Sequence, residues 1–189
     1  MKICVIDATI RKNSRTKKLL DYFLKDYKEK DITYLKLLDL DLKPLDFNML
    51  YKREEAIRNN DFKNDILFYA NKIKSSDILV YATPYYDLSF SSLLKLFIEN
   101  ANVADYLFHY DELGNCISNC KCKKSYYITT SGSKMKEDYG YNYIKEVNEV
   151  FYGIKKNYLI KVENLDVIGF NEEEELKKSY QMIDSLRNH

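Results

Sequence analysis

Short apolar runs and amphipathic segments alternate along this chain. Five of the runs have the length and the β-branched or aromatic content of buried strands. They cover residues 2–7, 32–37, 77–82, 125–130 and 158–162. Between them, apolar residues recur every three or four positions, which is the spacing of one helix face. The predicted helices follow Ser14, Asp61 and Ser91 or Ser92, run from about Asn142 to Tyr152, and occupy residues 172–186.

Two stretches fit this alternation less well. Residues 38–47 contain Pro44 and are predicted to be a connection, which a short polar helix follows over residues 53–60. We expect Arg53 and Arg58 of that helix on an exposed surface, with contact to a cofactor phosphate as the alternative. Residues 105–123 show no clear periodicity, so the pattern predicts a long functional or mobile loop there.

Five strands that alternate with helices predict an α/β protein with a parallel sheet, because each parallel pair needs a crossover connection. The usual five-stranded solution is a flavodoxin-like three-layer sandwich with strand order 2-1-3-4-5 and helices on both faces. Its ligand site lies beyond the carboxyl ends of strands one, three and four. The chain has 189 residues, so we expect residues 1–189 to form a single domain.

Composition and charge exclude several classes of protein. Thirty Lys and Arg against 29 Asp and Glu give a net charge of +1, which provides no excess of basic charge for nucleic acid. No apolar run reaches the roughly 18 residues that a membrane span needs. The start MKICVID leaves no room for a signal peptide. We therefore expect a cytoplasmic protein that binds neither nucleic acid nor membrane, with its four cysteines as thiols.

The loop after the first strand, residues 8–14, has the character of an anion site. Small hydroxyl residues and two arginines surround the start of the first helix, where free N–H groups and the helix dipole favour a phosphate. The candidate ligands are Arg11, Ser14, Arg15 and Thr16. The alternative is a solvent-facing cap in which Ser14 only satisfies the helix end. The loop has neither Gly-x-Gly-x-x-Gly nor Gly-Lys-Ser, which disfavours a dinucleotide or P-loop site.

The loops after the third and fourth strands differ from the first. The second loop, residues 84–89, offers a rigid start and aromatic surface suited to a flat ring system, although it could simply pack on the sheet edge. The third loop, residues 130–133, offers hydroxyls, backbone donors and one glycine that permits close approach of a ligand. A plain turn is the alternative for that loop.

Together these segments resemble a known family. SRTKKLLDYFL after strand one, ATPYYDLSFSSLLKLFIENA after strand three and KKSYYITTSGS after strand four resemble the FMN-dependent NAD(P)H oxidoreductases of the azoreductase and quinone-reductase type. The similarity continues through YLFHYDELGN and FYGIKKNYLIKVENLDVIG, so it covers nearly the whole chain. The Pro-Tyr-Tyr-Asp segment is its most specific part.

The resemblance implies a role for each loop. The FMN phosphate would be held by Arg11, Ser14, Arg15 and Thr16. The isoalloxazine ring would lie along Pro84, Tyr85, Tyr86, Asp87 and Leu88, and it would be bordered, with the ribityl chain, by Thr130, Ser131, Gly132 and Ser133. Two positions depart from the family's pattern: Ser133 stands where a second glycine is frequent, and Asp87 stands where asparagine is common.

The resemblance also implies the reaction and the assembly. NAD(P)H as co-substrate would reduce the bound FMN, which would then reduce a quinone, azo or nitroaromatic acceptor, with no acid, base or nucleophile from the protein. The family's enzymes are usually homodimers in which the second subunit completes the flavin pocket, and Phe108, His109 and Tyr110 match a loop that reaches the pocket. The alternatives are a non-catalytic flavodoxin-like electron carrier, disfavoured by the neutral charge, or a chain that no longer binds flavin.

Three cysteines need a separate interpretation. Cys116, Cys120 and Cys122 follow a C-x3-C-x-C pattern near His109, which departs from the usual paired C-x2-C spacing of metal sites. We expect free loop thiols and no metal, with a zinc or iron–sulfur site as the alternative.

Overall fold

The computed structural model describes residues 1–187, so Asn188 and His189 of the predicted domain lie outside the described residues. The structure has seven strands and six α-helices within that range. The strands are β1 (Ile3–Asp7), β2 (Ile32–Lys36), β3 (Ile78–Ala82), β4 (Phe108–Tyr110), β5 (Cys116–Ser118), β6 (Lys124–Thr130) and β7 (Lys156–Val162). The helices are α1 (Arg15–Leu24), α2 (Phe47–Arg58), α3 (Phe68–Lys74), α4 (Ser92–Ala101), α5 (Tyr139–Val150) and α6 (Glu172–Arg187).

The main sheet confirms the predicted topology. Its five strands are all parallel and lie in the order β2-β1-β3-β6-β7, which is the 2-1-3-4-5 order of the five-stranded core. Alternate side chains of each strand point to opposite faces. Ile3 and Val5 pack with α1 and α6, whereas Cys4 and Ile6 pack with α2, α3, α4 and α5. Helices therefore cover both faces, as expected.

The predicted start of α1 agrees with the structure, whereas the predicted starts of α2 and α5 do not. Ser14 caps α1 by accepting the Lys17 N–H, as predicted. α2 begins at Phe47, six residues before the helix predicted over residues 53–60, because Asp46 accepts the Met49 N–H and caps the helix there. Asp138 likewise starts α5 three residues before the predicted position. Both differences have one cause: an Asp cap was not recognised.

Residues 105–123 are not the unstructured loop that the pattern predicted. They contain a two-stranded antiparallel hairpin in which β4 pairs with β5. Asp111 closes its turn by accepting the N–H groups of Leu113 and Asn115, and Gly114 has a positive φ of 81°. Strands of three residues are too short to show a period of two, which is why the sequence pattern missed them.

A buried polar network fixes α5 against the sheet. Asn148 is fully buried and its Oδ1 accepts a 2.9 Å hydrogen bond from the hydroxyl of Tyr81 on β3. Its Nδ2 donates to Ser125 on β6 and to Asn157 on β7, each at 3.0 Å. The side chain therefore joins three strands and satisfies their buried polar groups in one place.

The four cysteines are free thiols in the structure. Cys4 and Cys122 are buried in the core and Cys116 begins β5, whereas Cys120 is a partly buried thiol in a loop, as predicted. Burial raises the pKa of the Cys4 thiol to about 12 and that of Cys122 to about 12, which keeps both protonated and unreactive at neutral pH. Within residues 1–187, no three His, Cys, Asp or Glu side chains come together as a metal site. No helix in the same range is long and apolar enough to cross a bilayer.

Candidate functional site

The loops that follow β1, β3 and β6 meet at the carboxyl edge of the sheet and enclose a cleft of about 310 Å³. A second cavity of about 510 Å³ adjoins it and shares Tyr85, Ser131, Gly132 and Asp166 as lining residues. All 13 residues that the resemblance assigns to the cofactor line one cavity or the other. The three loops that the sequence analysis selected therefore lie together at one edge of the sheet.

The start of α1 forms the polar end of the cleft. Ser14 lines it, and the N–H groups of Arg15 and Thr16 in the first turn donate no hydrogen bond within the described part of the chain. Such N–H groups point outward along the helix axis and carry partial positive charge. Arg11 lies exposed on the same rim. These groups make the end of the cleft suitable for an anion.

The Thr16 hydroxyl has a partner inside the protein. Thr16 is fully buried, and its Oγ1 shares a 2.7 Å hydrogen bond with Oγ1 of Thr130. This bond joins the start of α1 to the end of β6. One hydroxyl donates in this bond and the other accepts, so a single O–H of the pair remains to donate to an anion.

Arg15 also differs from the predicted free phosphate ligand. Its Nη1 donates to the Leu165 carbonyl at 2.7 Å, and its Nη2 donates to Oδ1 of Asp166 at 2.6 Å. Glu172 lies 3.7 Å from the same guanidinium group. The arginine that the sequence assigns to the phosphate is therefore paired with a carboxylate from the loop between β7 and α6.

The second loop forms a tight turn. Tyr86 and Ser89 exchange two backbone hydrogen bonds of 2.8 Å, and the residues between them, Asp87 and Leu88, have φ values of 48° and 69°. Positive φ at both central positions defines a type I′ turn. Tyr85 is fixed as well, because its N–H donates to Thr130 and its hydroxyl donates to Glu137. The backbone N–H groups of the two central residues donate no hydrogen bond within residues 1–187, so they remain available to a ring.

We expect Leu88→Gly to stabilise the protein by about 1 kcal/mol, because a leucine in the left-handed region is strained and glycine is not. Leu88 is 65% exposed, so little packing is lost. Asp87→Gly is the matched control in the same turn. Its gain should be smaller, since aspartate tolerates this conformation better. Urea unfolding of the three proteins measures the effect, and equal stability of Leu88→Gly and the parent would contradict it.

The third loop provides backbone rather than hydroxyl groups. Ser131 is buried, and its hydroxyl donates to the Ser133 carbonyl at 2.6 Å. A Cβ on Gly132 would collide with the Asp166 carboxylate in its present position, so the glycine permits this close approach of the carboxylate. The N–H groups of Gly132 and Ser133 donate no hydrogen bond within residues 1–187. The loop thus presents two free donors beside the second cavity.

Sequence reasoning missed two parts of this site. The fully buried Asp7, at the end of β1, accepts the Thr9 N–H at 2.9 Å and the Tyr34 hydroxyl at 2.5 Å, which fixes the base of the first loop. Burial and this bond raise the pKa of Tyr34. The loop after β7 supplies Leu165 and Asp166 to the cleft. The position of Asp7, an acid at the end of a buried strand, was the signal in the sequence that could have identified it as part of the site.

Four other predicted residues lie away from the cleft. Phe108, His109 and Tyr110 form β4, and Phe108 contacts Phe151 at the end of α5 with ring centroids 4.4 Å apart. None of the three lines either cavity of its own chain. Arg53 is not on an exposed surface as expected. It is 5% exposed and donates to the carbonyls of Glu99 and Asn100 at the end of α4.

A doubly covered parallel sheet with its cleft at the carboxyl edge defines a flavodoxin-like α/β protein. The chain belongs to the flavodoxin-like fold family, whose profile matches residues 1–186.

Individual relatives agree with this assignment. A protein of Clostridium perfringens (strain SM101 / Type A) described as an FMN-dependent NADH:quinone oxidoreductase is 30% identical over 98% of this chain and 97% of its own length. An azoreductase from Bacillus anthracis str. Sterne superimposes with a TM-score of 0.84 at 19% identity, covering 100% of this chain and 99% of its own. An FMN-dependent NADH-azoreductase from Bacillus anthracis str. Ames Ancestor, solved with FMN, has a TM-score of 0.80 at 20% identity, covering 98% and 96%.

Proposed function

We propose that the protein is an FMN-dependent NAD(P)H oxidoreductase that reduces quinone or azo acceptors by two electrons. The observation that carries this proposal is the convergence of three features on one continuous cleft. These are the anion-binding start of α1, the aromatic turn after β3 and the glycine approach after β6. The relatives named above have this activity in their descriptions and match nearly the full chain.

The residues present fit FMN. The combined cavities fall in the size range of cofactor sites. Arg11, Ser14, Arg15 and the free N–H groups at the start of α1 would hold the phosphate. The ring would lie between the turn at Asp87 and Leu88 and the peptide at Gly132, where free N–H donors face the second cavity.

Bound FMN supplies hydride transfer between the nicotinamide and the acceptor. The chain's own residues position the ring and shield one of its faces. The N–H groups of Gly132 and Ser133 would stabilise negative charge at the ring edge, because fixed donors need no reorganisation when charge develops. This explains why the proposal requires no catalytic acid, base or nucleophile. The quinone, azo or nitroaromatic acceptor would take the place that the nicotinamide leaves.

The proposal includes a cytoplasmic homodimer. The hairpin of β4 and β5 lies at the amino edge of the sheet, since Phe108 packs on Phe151 at the end of α5 and Ser118 lies against Gly153, three residues before β7 begins. A strand's length therefore separates it from the cleft of its own chain, and a second copy would be needed to bring Phe108, His109 and Tyr110 to a pocket. Tyr110 is 58% exposed and available for such a contact. Sedimentation should give twice the chain mass, and a strict monomer would contradict this part.

The test of the function is an absorbance spectrum of the protein after FMN is added and the excess is removed. We expect about one flavin per chain, bleached by anaerobic NADH or NADPH and restored by a quinone. Retained flavin that neither nicotinamide reduces would favour the electron carrier instead. If no flavin is retained, the FMN proposal is wrong and the family fold serves another ligand.

A further inference from the structure

Asp166 occupies an unexpected position for an acid. It lines both cavities of the proposed flavin cleft, and its carboxylate lies over Gly132. The backbone holds it there, because the Asp166 N–H donates to the Gly132 carbonyl at 2.9 Å and the Leu165 N–H donates to the Ser131 carbonyl at 3.1 Å. The loop after β7 is thus attached to the third loop by two hydrogen bonds.

The Asp166 carboxylate is paired with Arg15, the cation that an anionic ligand in the cleft would need. Arg15 Nη2 donates to Asp166 at 2.6 Å, and Nη1 donates to the Leu165 carbonyl. Bidentate binding of a phosphate through Nη1 and Nη2 would use the donors that now bond to Leu165 and Asp166. A phosphate at the start of α1 and the Asp166 carboxylate therefore compete for the same donors.

The Asp166 side chain can move away from Arg15 into solvent. It is 68% exposed, whereas the Arg15 side chain is 25% exposed. An ion pair with one partner in solvent is weak, so a dianionic phosphate, with more charge and more acceptor oxygens, can replace it. After exchange, the carboxylate can rotate into water while its backbone hydrogen bonds remain.

We propose that Asp166 is an internal competitor for the cofactor phosphate, which exchanges with it on Arg15 and so lowers the affinity for FMN relative to flavin without phosphate. This inference rests on the proposed function, because it concerns the same cleft. It assigns Asp166 a role as a specificity-determining residue and predicts that FMN and riboflavin respond differently to its removal.

The experiment compares Asp166→Asn with the parent protein by titrating FMN and riboflavin and following quenching of flavin fluorescence. We expect Asp166→Asn to bind FMN roughly tenfold more tightly, because the phosphate no longer has to displace a carboxylate from Arg15; a tenfold change corresponds to about 1.4 kcal/mol. Riboflavin affinity should change less than twofold. Asp21→Asn is the control, because Asp21 also forms an exposed ion pair on α1 but lines neither cavity.

Two further measurements distinguish competition from other roles. In an Arg15→Met background the gain from Asp166→Asn should disappear, and a gain that persists would show repulsion without exchange and overturn the proposal. Inorganic phosphate, used alone as the probe, should raise the melting temperature of Asp166→Asn more than that of the parent. This measurement does not require flavin.

The outcomes separate this inference from the proposed function. Loss of affinity for both flavins in Asp166→Asn would mean that the carboxylate holds the ribityl chain, which overturns the inference and leaves the function intact. Unchanged FMN affinity also overturns it. If no variant binds either flavin, the proposed function fails first. An unequal phosphate response would then still support the competition at Arg15, and an equal one would overturn it.

Discussion

Replacing Asn148 with leucine is expected to lower the melting temperature by about 10 °C. Asn148 is fully buried and bonds to Tyr81, Ser125 and Asn157 on three different strands. Leucine would leave these polar groups with fewer partners in an apolar core, at a cost of about 1–3 kcal/mol each. We expect a total of about 3–5 kcal/mol, at roughly 2–4 °C for each kcal/mol in a chain of this size.

Two controls show whether the network is the cause. Tyr81→Phe removes one hydroxyl of the network and should cost only about 1 kcal/mol. Asn142→Leu makes the same change at an exposed position of α5 and should alter stability by less than about 0.5 kcal/mol. If Asn148→Leu melts with the parent, the side chain is not the polar link between α5 and the sheet that the structure indicates.

The sheet could be predicted from the sequence because its central strands form continuous apolar runs. The runs at residues 77–82 and 125–130 are apolar on both faces, as strands between two helical layers must be, and both match β3 and β6 within a residue. The hairpin of β4 and β5 was missed because three residues cannot display a period. The early start of α2 was missed because Asp46 follows Pro44 and Leu45 in a segment that reads as a turn.

The site was predictable only as a set of loops. Ser14, Pro84 and Gly132 could be placed at one sheet edge because parallel strands end there together. What each side chain does at that edge depends on partners distant in sequence. Thr16 is paired with Thr130, and Arg15 is paired with Asp166, which is 151 residues away. No local pattern contains such pairings, so the sequence predicted free ligands where the structure shows paired ones.

The turn at Asp87 and Leu88 gives a physical meaning to one departure from the family's pattern. Both residues adopt positive φ, a conformation that asparagine and aspartate accept more readily than other non-glycine residues. Aspartate is therefore compatible with this turn. What it changes is charge, because an ionised carboxylate beside the second cavity opposes a gain of electrons there. At position 87, aspartate and asparagine thus suit the same backbone turn but differ in charge.

Arg15→Met is expected to weaken FMN binding roughly thirtyfold, since charge-assisted hydrogen bonds to a phosphate contribute about 2 kcal/mol. This loss of affinity lies in the lower part of the range for hydrogen bonds to charged groups, because the parent protein must first release Asp166 from the same guanidinium. Riboflavin, which has no phosphate, should bind the variant and the parent alike. Raising the salt concentration should weaken FMN binding to the parent more than to the variant, because a cationic contact is screened.

Arg15→Lys and Lys18→Met make this prediction specific. Lysine keeps the charge but not the planar fork, so Arg15→Lys should recover part of the lost affinity. Lys18→Met removes the same charge from α1 at an exposed position that lines neither cavity, and it should change FMN affinity less than threefold, as expected of a screened exposed charge. Equal losses of FMN and riboflavin in Arg15→Met would contradict a phosphate contact. They would show instead that Arg15 acts by holding Leu165 and the loop after β7 in place.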